Sequence, residues 1–183
     1  MGNVASAGDG DAPEAPRSAI AILPLYPVVM IRGMNYELFM GEALAEARLA
    51  AARGAPAVGA IAVMNEAMVA RGGSRASEAN DPTAHAVIGA VREASRKLRT
   101  VRLSDVTIFT TREPCPMCVG ALLQSDVAAL VFAMPNPVDG AAGTVLQLAQ
   151  HPALARRLEV VSGISRNEAE ELALDGPTVL AGT

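Results

Sequence analysis

Apolar positions along the chain alternate between two rhythms. Over residues 36–53, Leu38, Leu44, Ala47 and Ala51 recur at helical spacing among good helix formers, and Gly54 supplies the stop. Residues 56–64 form an apolar run that reads as a buried strand. Asn65 and Glu66 make a tight turn, residues 67–70 return as a hairpin partner, and 72–80 read as a loop. The next helix starts at Asp81 or Thr83, carries His85 and runs to about Arg99. Residues 103–111 read as a strand, and Pro114 opens a helix that carries Cys115 and Cys118 to Gln124. A strand over 128–133 follows, then a turn at 136–140, a helical stretch over 144–150 and a short strand over 158–161. The last helix covers 165–174, with Ser165 and Glu168 spaced as a capping box. The order is αββαβαβαβα. Strands interleaved with helices predict an α/β fold, a three-layer α/β/α sandwich around a mixed sheet of five strands.

Outside that pattern lie two other kinds of sequence. Residues 1–17 are rich in Gly, Ala, Pro and Asp and predict a disordered tail. Residues 18–35 form an apolar extension broken by Pro24 and Pro27, too short to span a bilayer. The folded domain would then be 36–175, with a C-terminal tail over 176–183. An apolar stretch over 19–31 needs a cover, either its own domain or a second copy, so a homodimer is expected.

Composition changes the picture in three ways. There is no Trp and aromatic residues are 3%, so the core must be aliphatic. The net charge is −4, which argues against a nucleic-acid partner; Lys97 is the sole lysine among many arginines. The N-terminus lacks the basic start of a signal peptide, because the first basic residue is Arg17. Together with two thiols suited to metal binding, this predicts a cytoplasmic protein with no membrane partner.

The chemistry concentrates in two short motifs. One is Asp81-Pro82-Thr83-Ala84-His85-Ala86-Val87 and the other is Glu113-Pro114-Cys115-Pro116-Met117-Cys118. A lone C-x-x-C can be a redox pair. Pro114 before it and a His upstream in a helical context favour a zinc site instead. Each motif is expected in the first turn of a helix, where the partial positive charge of the N-terminus favours thiolates.

With these motifs, with Val58-Gly59-Ala60 in the first strand and with Gly140-Ala141-Ala142-Gly143, the chain resembles the cytidine deaminase superfamily. Within it, the chain is similar to bacterial tRNA-adenosine deaminases and the related guanine deaminases. The resemblance spans roughly residues 37–174. It implies a cytidine-deaminase-like fold, Zn2+ as cofactor, and His85, Cys115 and Cys118 as its ligands. It further implies that Val58, Gly59, Ala60, Ser74, Ala86 and Val87 line a pocket for a small nucleobase-like or heterocyclic ligand.

The chain departs from the resembled pattern at three places. Val87 stands where the family carries its proton-shuttling Glu, so no residue is assigned that catalytic role. Ser74 stands where the family commonly has an Asn that holds the purine. The tail after Leu174 lacks the aromatic and basic residues often found in the tRNA enzymes. The His-Ala-Val order also resembles the non-catalytic partner subunit of the eukaryotic tRNA wobble deaminase, which makes a catalytic partner chain a candidate.

Other polar residues carry blander readings. Glu113 reads as a structural carboxylate at a helix start, with substitute proton carrier as the lesser alternative. Glu93 lies about two turns past His85 and should point away from a metal. Asp81 reads as a cap and His151 as a surface residue. The functional expectation is a zinc-binding pseudoenzyme or non-catalytic subunit. The alternatives are a divergent zinc hydrolase with another proton carrier, or an inactive variant of a tRNA-adenosine or guanine deaminase.

Overall fold

The computed structural model describes residues 34–175. The tail 1–17, the extension as far as residue 33 and the tail 176–183 lie outside the described residues. Helix α1 (Tyr36–Ala52) leads into the hairpin β1 (Gly59–Met64) and β2 (Ala67–Gly73). After these come α2 (Ala76–Ala79), α3 (Ala86–Leu98), β3 (Thr107–Arg112), α4 (Pro116–Gln124), β4 (Ala129–Met134), β5 (Glu159–Ser162) and α5 (Arg166–Asp175).

The five strands form one mixed sheet in the order β2-β1-β3-β4-β5. β1 runs antiparallel to both β2 and β3, while β3, β4 and β5 are mutually parallel. The hairpin turn is possible because Asn65 and Glu66 both take positive φ, at 51° and 58°, which matches the twist of the flanking strands. Side-chain alternation splits the core into two layers. Ile61, Val63, Phe109 and Val131 point to one face and pack with Phe39, Met40, Leu44 and Ala169 of α1 and α5. Ala60, Ala62, Ile108, Leu130 and Phe132 point to the other and pack with Val87, Val91, Val119 and Leu122 of α3 and α4. Two glycines set the layer spacing. A Cβ on Gly59 would strike the Ala43 carbonyl and lie 2.5 Å from the Ala47 nitrogen. One on Gly72 would strike the Ala86 carbonyl and lie 2.7 Å from the Ala90 nitrogen.

The α/β architecture and mixed five-stranded sheet agree with the sequence pattern, but several local expectations do not hold. α3 starts at Ala86 rather than at Asp81 or Thr83, and β3 at Thr107 rather than at 103. Residues 144–150 are not helical. The amides of Val145 and Leu146 bond to the Gly140 carbonyl, those of Leu148 and Ala149 to the Ala141 carbonyl, and that of Thr144 to the Glu113 side chain. With those donors engaged, an i→i−4 ladder has nothing to build from. The 72–80 loop instead contains the end of β2 and the one-turn helix α2. The capping box fails because Ser165 has φ 53°, whereas an N-cap residue is extended.

Candidate metal centre

Two helix starts meet at one end of the sheet. His85 is the N-cap of α3 and Cys115 the N-cap of α4, both with extended backbone (φ −74°, ψ 153° and φ −71°, ψ 171°). The sequence places each in its helix's first turn; they sit one step before it, and Cys118 alone lies within the first turn of α4. Pro116 is the first helical residue of α4, where its missing N–H costs nothing. Asp81 shapes the approach to His85: its carboxylate accepts bonds from the Thr83 amide at 2.8 Å and the Thr83 hydroxyl at 2.6 Å. It therefore caps the turn before His85.

The donor atoms of His85, Cys115 and Cys118 all lie within 4.8 Å of one another. His85 Nδ1 is 3.6 Å from Cys115 Sγ and 3.5 Å from Cys118 Sγ. A tetrahedral zinc with bonds of ~2.3 Å to sulfur and ~2.0 Å to nitrogen requires nitrogen and sulfur ~3.5 Å apart. The triad thus has the spacing and the donor chemistry of a zinc site with a fourth position left for water or a ligand.

Electrostatics within the triad point the same way. The Cys118 thiol donates to Cys115 and holds it down to about 4, against the cost of burial and with help from His85. That same bond, with burial, pushes the Cys118 thiol far above its ordinary range. His85 is raised chiefly by its bond with Cys115, and also by the charges of Asp139 and Asp81. A cation held here would take the place of the shared proton, with both sulfurs binding it as thiolates.

The other sequence-derived candidates gather around this end. Ser74 is buried at the end of β2, and its amide donates to the Val58 carbonyl at 2.9 Å. The next amide, Arg75, donates to Ala84, immediately before His85, at 3.0 Å. Gly59 is fixed by two side chains of β3, its amide donating to the Thr111 hydroxyl at 3.2 Å and its carbonyl accepting from the Thr110 hydroxyl at 3.1 Å. Ala60, Ala86 and Val87 are buried in the α3/α4 layer. Backbone pairing therefore brings 58–60, 74 and 84–87 to one end of the sheet.

Glu113 takes a different place. It is 2% exposed and accepts backbone N–H bonds from Asn136 at 3.1 Å, Ala142 at 2.8 Å and Thr144 at 3.0 Å. Its carboxylate ties the loop after β4 to the start of α4, with three of its roughly four acceptor positions taken by backbone amides. Glu93 bonds the Arg71 amide and Lys97, over β2. His151 is exposed, and its Nδ1 accepts from the Ala153 amide at 3.3 Å. One group escaped the sequence reading. Asp139, in a segment recognised only as a turn, carries a charge that reaches both His85 and Cys118.

Residues 34–134 match the cytidine and deoxycytidylate deaminase zinc-binding region. The chain belongs to that zinc-binding deaminase family. It is 38% identical over 132 residues to the tRNA-specific adenosine deaminase of Bacillus subtilis, covering 72% of this chain and 82% of that one. It is 46% identical over 123 residues to the chloroplastic tRNA(adenine(34)) deaminase of Arabidopsis thaliana, covering 67% of this chain but only 9% of that much longer protein. The guanine deaminase of Bacillus subtilis is 38% identical over 112 residues, 60% of this chain and 71% of that one. A solved structure of a tRNA:A34 deaminase superposes with a TM-score of 0.71 at 34% identity, over 74% of this chain and 98% of that chain. Among the described residues, no helix of this deaminase-family chain is long and apolar enough to cross a membrane.

Proposed function

We propose that this deaminase-family protein holds zinc at His85, Cys115 and Cys118 and binds a small aminated nucleobase or heterocycle there, but has lost ordinary hydrolytic deamination. It acts as a pseudoenzyme or as the non-catalytic subunit beside a catalytic partner chain. The observation that carries this reading is Val87. It sits in the first turn of α3, 3% exposed and packed in the apolar layer, where the resemblance calls for the proton-shuttling Glu. Zinc, when bound, supplies Lewis acidity and a more acidic water. His85, Cys115 and Cys118 hold that ion, the 58–60 edge and Ser74 shape the pocket, and Val87 offers neither a proton nor a hydrogen bond. General acid–base groups contribute about 10²–10⁴-fold, so the change is disabling for the standard reaction.

The test compares the zinc-loaded wild type, Val87→Glu and Glu113→Gln on a panel of aminated bases and nucleosides. The wild type is expected to show no turnover at enzymatic rates and Val87→Glu to gain it. Wild-type turnover at ordinary rates overturns the reading. A second reading, a divergent hydrolase with another proton carrier, has one observation in its favour, the Asp139 charge that helps to raise both His85 and Cys118.

Two assembly properties belong to the same proposal. The chain pairs with itself, supported by exposed apolar residues (Met117, Val138, Val145, Leu146 and Leu154) on the start of α4 and the β4–β5 connection. It does not rely on tRNA, supported by the net charge of −4. The names of its relatives lean the other way, which makes tRNA binding at physiological salt the direct check.

A further inference from the structure

Helix α1 is apolar on both of its sides. Phe39, Met40, Ala43 and Leu44 pack on the sheet. On the opposite side Leu38, Gly41, Ala45, Leu49 and Ala52 are exposed. They follow one another in steps of three and four residues, so they share one face, with Glu42 and Arg48 at its flanks. Leu38 is 57% and Leu49 51% exposed. A helix that is apolar all round is normally covered all round. α3 shows the ordinary alternative, since the exposed residues along it are Arg92, Arg96 and Lys97.

The apolar sequence nearest this face is the chain's own. Residues 18–33 stand directly before Met34 and Asn35, the N-cap of α1. They include Ile22, Leu23, Val28, Val29 and Ile31, and Arg32 is their only charged residue. From Leu38 to Leu49 the helix rises ~16 Å at ~1.5 Å per residue. Extended chain covers that in about five residues at ~3.3 Å each, so the segment is long enough to run the whole face. Gly33, just before the helix, allows the reversal of direction that this path needs. Pro24 and Pro27 bring no amide to satisfy and favour an extended chain that needs no partner strand. Such a chain can lay side chains on a helix while its backbone stays in water.

We propose that the exposed face of α1 is the docking surface for residues 18–33 of the same chain, which fold back along the helix over Leu38 and Leu49. The two apolar features of the molecule that lack a cover then cover each other. The candidate metal centre lies with α3 and α4 on the other face of the sheet, so this docking leaves it untouched.

The experiment is native-state proteolysis of the zinc-loaded full chain with thermolysin, which cuts before large apolar residues, with cleavage within 18–33 read by mass. Cleavage of a held segment tracks the fraction released. Leu38→Asp places an acid in the first turn of α1, where it is favoured, and Leu49→Gln keeps a good helix former, so both put a polar group on the face without breaking the helix. Each is expected to speed cleavage within 18–33 by at least about tenfold over wild type, the scale of a polar group forced into an apolar contact, with zinc content unchanged. Val29→Asp is expected to do the same and to add little to Leu38→Asp, because the two act on one contact. Wild-type cleavage within 18–33 as fast as in the variants overturns the proposal, and so does slow cleavage that neither α1 variant changes. Slow cleavage that speeds up on dilution through the micromolar range gives the face to a second copy and overturns docking within the chain.

Discussion

Glu113 and Cys118 show how differently two buried polar groups serve this fold. Glu113 gathers three backbone donors, and Gly140 leaves it room, since a Cβ there would strike the Glu113 carboxylate and lie 2.6 Å from the Asn136 carbonyl. Each buried donor left unmet costs about 1–3 kcal/mol. Glu113→Ala is therefore expected to destabilise the domain by about 3 kcal/mol or more in urea unfolding, with the loop over 136–144 losing amide-exchange protection first. A loss below about 1 kcal/mol means those amides find other partners. Cys118 belongs instead to the candidate zinc site. Cys118→Ala, and likewise Cys115→Ala, is expected to lose stoichiometric zinc and thermal stability together, because metal binding and folding are coupled. Metal analysis beside a melting curve checks this, and zinc retained after either substitution contradicts the ligand assignment.

At the scale of elements, legibility followed from how local the cause was. β1 and β4 are continuous apolar runs and β3 a run of β-branched and aromatic residues, each bounded by turn residues, so the sequence marks them without help from the fold. The Asn65-Glu66 turn and the helices α3 and α4 were equally local. The connection over 140–150 was not, because its amides are claimed by Gly140, by Ala141 and by Glu113, a residue some thirty positions earlier. A helical apolar spacing there is real but loses to those bonds. The setting of Asp139 was not legible for the same reason: its turn is fixed by bonds to Asn136 and by the Ala141 amide on the Pro114 carbonyl, which no local pattern announces. The glycines divide along this line too. Gly59→Ala and Gly72→Ala force a methyl into backbone of α1 and α3 respectively, and each is expected to cost about 1–3 kcal/mol. Gly41→Ala in α1 and Gly120→Ala in α4 meet nothing within 4 Å and are expected to stabilise by about 0.5–1 kcal/mol. Denaturation midpoints of the four variants decide it, and a neutral Gly59→Ala refutes the close approach.

For the molecule as a whole, the question is what the side bearing the metal centre faces. α1 and α5 cover one face of the sheet, and α3 and α4 cover the other. The β4–β5 connection, which docks on α4, leaves Val145 49% and Leu146 50% exposed. Leu146 is anchored by its own amide to the Gly140 carbonyl, so its exposure is a fixed feature of the loop. Burying such side chains is worth about 25 cal/mol per Å² of apolar surface, and a second copy supplies the matching patch by symmetry. The full chain is expected to sediment as a dimer at micromolar concentration. Leu146→Asp is expected to shift it to monomer by at least tenfold in dissociation constant, because a charge at the centre of an apolar contact loses its hydration. Zinc content should stay the same, since Leu146 is half exposed and is not one of the three residues of the candidate site. A wild-type monomer under these conditions removes the self-association, and a Leu146→Asp chain that remains dimeric moves the interface to another part of the molecule, with the apolar sequence over 19–31 as the next segment to delete.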